Sequence, residues 1–244
     1  MFKECIKKIQ LKIMIYNFVD FFFQNNFTND IYNILNKSKP KKKINIFDIG
    51  SYLGNFSREL KKKLENKYKL NFYLFDPNPF IKLKDFKYNC VGISDVVSKK
   101  DYNYNNFFPS SGSGFNKITS NDLLWNISRK LITFNIFKKF SKFKVYTNTL
   151  DNFCKKIKRI DILKIDTEGH ELEVLRGGKN ILNNTNIIQI EIMEKKMYFN
   201  KKFTKVDNFL KKYNFEIIKK KEIWSVSFFS NIKAIDVLYK KNFL

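Results

Sequence analysis

Hydrophobic residues along the chain fall in short runs whose spacing switches between a helical and an extended period. Near the N-terminus Ile6, Ile9, Ile13 and Tyr16, then Val19, Phe22 and Phe23, recur at roughly helical intervals. Lys7, Lys8, Lys12, Asn17 and Asp20 interrupt them, so no apolar run reaches signal-peptide or membrane-spanning length. Two readings of this stretch stand: a helix packed on the domain, or a basic amphipathic anchor at a membrane surface. Residues 39–43, with Pro40, read as a linker. Extended runs then cover 44–48, 72–76, 88–93, 160–165 and 187–192, with terminal strands at 215–219 and 234–239. Helical spacing appears between them: Phe56, Leu60 and Leu64 lie four apart, and further helices are expected over 150–157, through Glu171, Val174 and Leu175 to a Gly177-Gly178 cap, and over 203–213. Such alternation predicts an α/β fold, a mostly parallel sheet with helices on both faces. The expected division is a short N-terminal helical extension over 1–40 and one domain over 41–244. Residues 101–142, rich in Asn, Ser and aromatics around Ser110-Ser111-Gly112-Ser113-Gly114, read as a long insertion or lid that helps bind a substrate.

Composition narrows the class. A chain of 244 residues that is 43% hydrophobic and 17% aromatic has the material for a packed core, which excludes global disorder. The formal net charge of +24 invites a polyanionic partner such as nucleic acid or an acidic membrane. An AT-rich coding sequence would yield the same lysine-rich, Asn-, Ile-, Phe- and Tyr-rich composition, and the sequence leaves both explanations standing. Arginine occurs only at Arg58, Arg129, Arg159 and Arg176, so the excess lacks the bidentate fork used in specific base recognition. Cys5, Cys90 and Cys154 have no metal-type spacing and suit a reducing compartment, so a soluble cytoplasmic protein is expected.

The candidate chemistry gathers at the ends of the extended runs. Asp48-x-Gly50-x-x-x-Gly54-Asn55-Phe56 places an acid, two glycines and a helix start at the end of the first strand. Glycines there let a ligand approach the backbone, and the helix start offers unpaired N–H groups. The spacing is not the G-x-G-x-x-G of dinucleotide enzymes. S-adenosylmethionine (SAM) has no pyrophosphate but carries a sulfonium and an ammonium, and an acid at the strand end suits that charge; a merely tight strand-to-helix turn is the alternative. Asp76 ends the second strand about 20 residues beyond the turn, where a carboxylate can accept ribose hydroxyls. Asp95, after the third strand, is either an adenine contact or a solvated turn acid. The densest segment is Lys164-Ile165-Asp166-Thr167-Glu168-Gly169-His170-Glu171, at a strand end and holding the single histidine of the chain. Asp166, Glu168 and His170 are the candidate catalytic groups, His170 or Asp166 serving as base. Glu171 reads better as an acid favoured at a helix start. Glu191, ending the next strand, could join Asp166 and Glu168 around a Mg²⁺ ion.

In order and spacing these blocks resemble the FkbM family of methyltransferases: Phe47-Asp48-Ile49-Gly50 to Gly54-Asn55-Phe56-Ser57, Phe75-Asp76-Pro77-Asn78-Pro79, Thr149-Leu150-Asp151, the Lys164 to Glu171 block with Val174-Leu175-Arg176-Gly177-Gly178, and Gln189-Ile190-Glu191. The resemblance spans roughly residues 44–194. It implies a class I SAM-dependent Rossmann-like fold with a seven-stranded sheet, and O-methylation, often of a sugar or natural-product hydroxyl. Asp48, Gly50, Gly54, Asn55, Asp76 and Asp95 then become cofactor-binding candidates. The family usually has Glu where Asp76 stands, which shortens the reach to the ribose but keeps the charge. Two other functions remain open at this stage: an RNA ribose 2′-O-methyltransferase exploiting the lysines, with Lys164 and Asp166 in its catalytic set, and a non-catalytic SAM-fold binding protein.

Overall fold

The computed structural model describes residues 27–38, 43–105, 113–116, 140–195, 201–223 and 232–242. Helix α1 (Thr28–Ser38) leads into β1 (Lys43–Ile49), α2 (Asn55–Leu64), β2 (Lys69–Phe75), β3 (Lys87–Asn89), β4 (Gly92–Ile93), β5 (Ser98–Asn105) and β6 (Phe140–Asn148). There follow α3 (Leu150–Phe153), β7 (Ile160–Ile165), α4 (Glu171–Arg176), β8 (Thr185–Lys195), α5 (Lys201–Lys211), β9 (Phe215–Ile223) and β10 (Ile232–Lys241). Seven strands make the main sheet in the order β3-β2-β1-β7-β8-β10-β9. All neighbours in it are parallel except β10, which runs antiparallel to β8 and β9.

Side-chain alternation along the strands divides the core into two layers. Ile44 and Ile46 of β1, Ile162 of β7 and Leu238 of β10 face α1 and α2, which answer with Ile31 and Leu35 and with Phe56, Leu60 and Leu64. The opposite parity, Phe47, Ile49, Leu163, Ile165, Ile188 and Ile190 among others, packs on Leu150, Val174, Leu175, Val206 and Leu210 of α3, α4 and α5. Each such side chain contributes about 1.5–3 kcal/mol by leaving water. The expected sheet covered on both faces is what the structure shows. Of the expected N-terminal extension, the described part is α1, an integral piece of one core layer; the pattern from Ile6 to Phe23 lies outside the described residues.

Two departures have local causes. The single strand expected over 88–93 is split between sheets: Val91 N–H turns back onto Asn89 O at 2.9 Å, so β3 ends beside β2 while β4 pairs with β6. The segment expected as an insertion begins and ends in strands instead, β5 and β6 pairing antiparallel to form a second sheet of order β4-β6-β5. Ser98-Lys-Lys-Asp-Tyr-Asn-Tyr-Asn has too many strand-poor residues to reveal this locally; the partner strand supplies the order. Between them, Gly114 bridges to Asn103 through two backbone hydrogen bonds of 2.9 and 3.0 Å.

Candidate active site

Strand order reverses at β1, with β2 on one side and β7 on the other, and open α/β sheets bind ligands in the crevice beyond such a switch point. The chain builds that crevice from two touching loops. Gly50 sits at φ 77°, and a Cβ there would stand 1.7 Å from Asp166 O, so only glycine fits. Gly50 and Ser51 N–H both donate to Phe75 O, at 2.9 and 3.1 Å, tying the first turn to the end of β2. Gly54 (φ 76°) starts α2 and packs against Leu74 and Leu83, shaping the turn from outside the cleft. Gly50 and Asn55 line the cleft, as do Asp76, Lys164, Asp166 and Glu168.

Three carboxylates and one ammonium group therefore share the lining of the cleft. Asp48 lies beneath the cleft floor instead of in its wall: it is fully buried, accepts from Ser57 Oγ at 2.7 Å, and its other oxygen is 3.6 Å from Lys164 Nζ, too far for a hydrogen bond. Burial raises the Asp48 pKa, against the opposing pull of Lys164 and Ser57. Lys164 is held 3.1 Å from Asp166 Oδ2, and its ammonium sits over the Phe56 ring. Burial alone would favour the neutral amine, but Asp166 and Asp48 outweigh it and the pKa rises. Lys164 thus stays protonated and has no lone pair for proton abstraction. Asp76 accepts Tyr52 N–H and Asn78 N–H, each at 2.9 Å, yet burial still lifts its pKa to about 6.

The loop after β7 carries unusual backbone. Glu168 has φ 52° and Gly169 φ 102°, both left-handed, and a non-glycine residue there is a local strain often found at functional sites. Glu171 is fully buried, accepts Gly169 N–H at 2.6 Å and pairs with Lys202 at 2.7 Å. That agrees with its reading as a helix-start acid.

Besides Asp48 and Gly54, three sequence candidates lie off this cleft. His170 is buried with its Nε2 2.9 Å from Ser94 Oγ and its Nδ1 3.7 Å from Glu173, and burial lowers its pKa to about 4. It is a neutral packing and hydrogen-bonding group behind the wall. Asp95 is tied to Ser94 Oγ at 2.9 Å and Lys100 at 3.4 Å outside the lining. Glu191 is also outside it, directly across from Asp236; burial, then Asp166 and Asp236, raise its pKa, and Asp236 is pushed to about 8. Among the described residues no group of three or more His, Cys, Asp or Glu side chains is placed to hold a metal ion. Sequence reasoning missed Tyr102, Ser113 and Phe115 in the lining. A signal existed: a Cβ on Gly92 would come within 2.4 Å of the Phe115 ring, so the glycine makes room for it.

A seven-stranded sheet of this order, its one reversed strand next to the edge and a glycine turn at its switch point, is the class I methyltransferase fold. The chain belongs to the FkbM methyltransferase family, whose model, the Methyltransferase FkbM domain, matches residues 48–217. It is 28% identical over 186 residues, 69% of each chain, to the 2-O-methyltransferase NoeI of Sinorhizobium fredii. Among solved structures it is similar to a candidate ribosomal RNA methyltransferase of Plasmodium falciparum, with 15% identity, TM-score 0.44, and coverage of 91% of this chain and 99% of that one. It is also similar to the magnesium protoporphyrin IX methyltransferase of Synechocystis with bound SAM, at 9% identity, TM-score 0.39, and 88% and 78% coverage. Likenesses this distant carry nothing about cofactor or acceptor.

Proposed function

We propose that this methyltransferase uses SAM to methylate a hydroxyl group of a sugar, glycan or small-molecule acceptor, residues 41–244 carrying the catalytic machinery. The observation that carries the reading is the charge of the cleft. Asp76, Asp166 and Glu168 line the cleft at the switch point together with one cation among the described lining residues, the protonated Lys164, an excess of acids that suits a cationic ligand. Asp76 suits a ribose, since each carboxylate oxygen keeps a lone pair after accepting its backbone N–H. Asn55 and the glycine turn suit the rest of the cofactor. When bound, SAM supplies an electrophilic methyl group on a positively charged sulfur.

The chain's own task is alignment and proton removal. As the acceptor oxygen bonds to the methyl carbon and the carbon–sulfur bond breaks, the hydroxyl proton must leave. Glu168 is the favoured base: it lines the cleft, whereas Asp166 is committed to Lys164 and His170 lies behind the wall. Asp166 keeps Lys164 in place. The acceptor assignment draws on the 2-O-methyltransferase relative and on an exposed aromatic cluster. There Phe80, 62% exposed, packs with Tyr104 and Phe143 at centroid distances of 5.3 and 5.5 Å. Such aromatic faces suit the C–H face of a sugar ring.

Labelled SAM incubated with panels of glycans, small hydroxyl compounds and RNA tests the proposal. Label is expected on a glycan or small molecule, and Glu168→Gln should cut that transfer about 10²–10⁴-fold while retaining S-adenosylhomocysteine binding. Transfer to RNA with steep salt dependence would replace the acceptor assignment. SAM binding with no transfer to any panel member would support the non-catalytic alternative.

A further inference from the structure

The strained Glu168 is held from outside the cleft by two segments remote in sequence. Gly169 O, the next carbonyl along, accepts Asn116 Nδ2 at 2.7 Å and Lys202 Nζ at 2.7 Å. Lys202 stands in the first turn of α5 and also pairs with the buried Glu171, which takes the Gly169 N–H. Both polar groups of the Gly169 backbone are thereby fixed, one by Glu171 and the other by the two donors. Asn116 reaches this position because residues 113–116 lie directly on the loop. A Cβ on Gly114 would be 3.4 Å from Glu168 Cβ and 3.5 Å from the carbonyls of Thr167 and Glu168. The strap is itself fastened to β5: Gly114 bridges Asn103, Ser113 Oγ accepts Asn105 N–H at 2.9 Å, and the Phe115 ring lies 4.8 Å from His170.

We infer that Asn116 and Lys202 are positioning residues that lock the Gly169 carbonyl and so hold Glu168 in its left-handed conformation with its carboxylate in the cleft. Neither residue lines the cleft. Left-handed backbone at a residue with a side chain costs on the order of 1–3 kcal/mol and persists only where its surroundings impose it. The two donors are that imposition, one arriving from the 113–116 strap fastened to β5 and the other from α5. The cleft therefore depends on the junction between the two sheets: the small sheet lines it with Gly92, Ile93 and Tyr102 and, through the strap, also steadies Glu168.

This inference rests on Glu168 being the base, and its test separates the two. Asn116 is exposed, so Asn116→Ala and the isosteric Asn116→Asp, which replaces the donor with a repelling carboxylate, should leave the fold intact. Lys202→Arg, which retains donors and charge, serves as the conservative control. Hydrogen exchange of the Gly169 amide, which needs neither cofactor nor acceptor, should accelerate about tenfold in Asn116→Ala, more in Asn116→Asp, and little in Lys202→Arg. Methyl transfer to the acceptor found in the panel should fall about tenfold in Asn116→Ala, with S-adenosylhomocysteine affinity unchanged. In a Glu168→Gln background the same substitution should cause no further loss. Unchanged exchange in both Asn116 variants overturns the lock. Faster exchange with equal losses in both backgrounds overturns its link to Glu168. A Glu168→Gln enzyme that keeps full activity defeats the base assignment while leaving the exchange result to judge the lock.

Discussion

Strand β7 carries a carboxylate at each end, and the two are treated in opposite ways. Asp161, near its start, is fully buried and fully engaged: Asn45 N–H donates to it at 2.9 Å, Asn186 Nδ2 at 3.2 Å, and Arg159 Nε lies 2.8 Å away. Asp166, just past the other end, has Lys164 as its one side-chain partner among the described residues and opens onto the cleft. The first charge is neutralised by the protein and serves the fold. The second shares the cleft lining with Asp76 and Glu168 and, among the described lining residues, with Lys164 as the one cation, as expected where a ligand supplies counter-charge. Within one strand, the number of donors converging on an acid separates a structural role from a functional one.

The harshest way to break the cleft end is Gly50→Ala. Its Cβ would overlap Asp166 O in a left-handed conformation, so no S-adenosylhomocysteine binding should be measurable by calorimetry, with folded yield reduced as well. Next comes the pair that tests the comparison directly. Asp161→Ala strips the partner from Arg159 and should cost about 3–5 kcal/mol, a melting temperature lower by on the order of 10 °C, with ligand affinity of the folded protein unchanged. Asp166→Asn should do the reverse: a thermal melt displaced by less than about 3 °C, and methyl transfer reduced about 100-fold as Lys164 loses its anchor and alignment suffers. If Asp166→Asn retains full transfer with SAM bound, the distinction between the two ends fails.

A smaller effect concerns pH. The Asp76 pKa is raised from 3.8 to about 6, so between those values the folded state holds a proton that the unfolded state has released. Its contribution to stability is therefore lost as pH rises through that window, whereas its ability to accept two ribose hydroxyls is gained. S-adenosylhomocysteine affinity should weaken up to about tenfold from pH 7 to pH 5, and Asp76→Asn should flatten that dependence. His170 has the opposite sign: its pKa falls from 6.5 to about 4, so it destabilises the fold as pH drops through that interval. The smallest expected change is at the exposed aromatic cluster. Phe80→Ala should raise the acceptor KM about 2–10-fold, leaving S-adenosylhomocysteine affinity untouched.

Much of this architecture was legible in the residues. The glycine turn after Asp48 and the four-residue spacing of Phe56, Leu60 and Leu64 are local signals, and each element formed where they indicated. The apolar run at 160–165 became β7 with the same bounds. The 98–105 segment was illegible because its polar residues gain strand structure only by pairing with β6. His170 misled for a related reason. Its chemistry and its place in a motif pointed to catalysis, but helix α4 begins just beyond it and turns the ring toward Ser94.

By itself the sequence determined the α/β class, the ends of the strands at which acids collect, and the glycines that only a close backbone approach explains. Periodicity and steric demand are written residue by residue, so they can be read that way. Which acid faces a ligand was decided only by tertiary structure. Asp161 and Asp166 are alike in sequence, each following an apolar isoleucine within one strand segment, and they differ in how many donors the folded chain brings to them. That number depends on Asn45, Arg159 and Asn186 at one end and on Lys164 at the other, and the two outer asparagines meet Asp161 only once the sheet has formed.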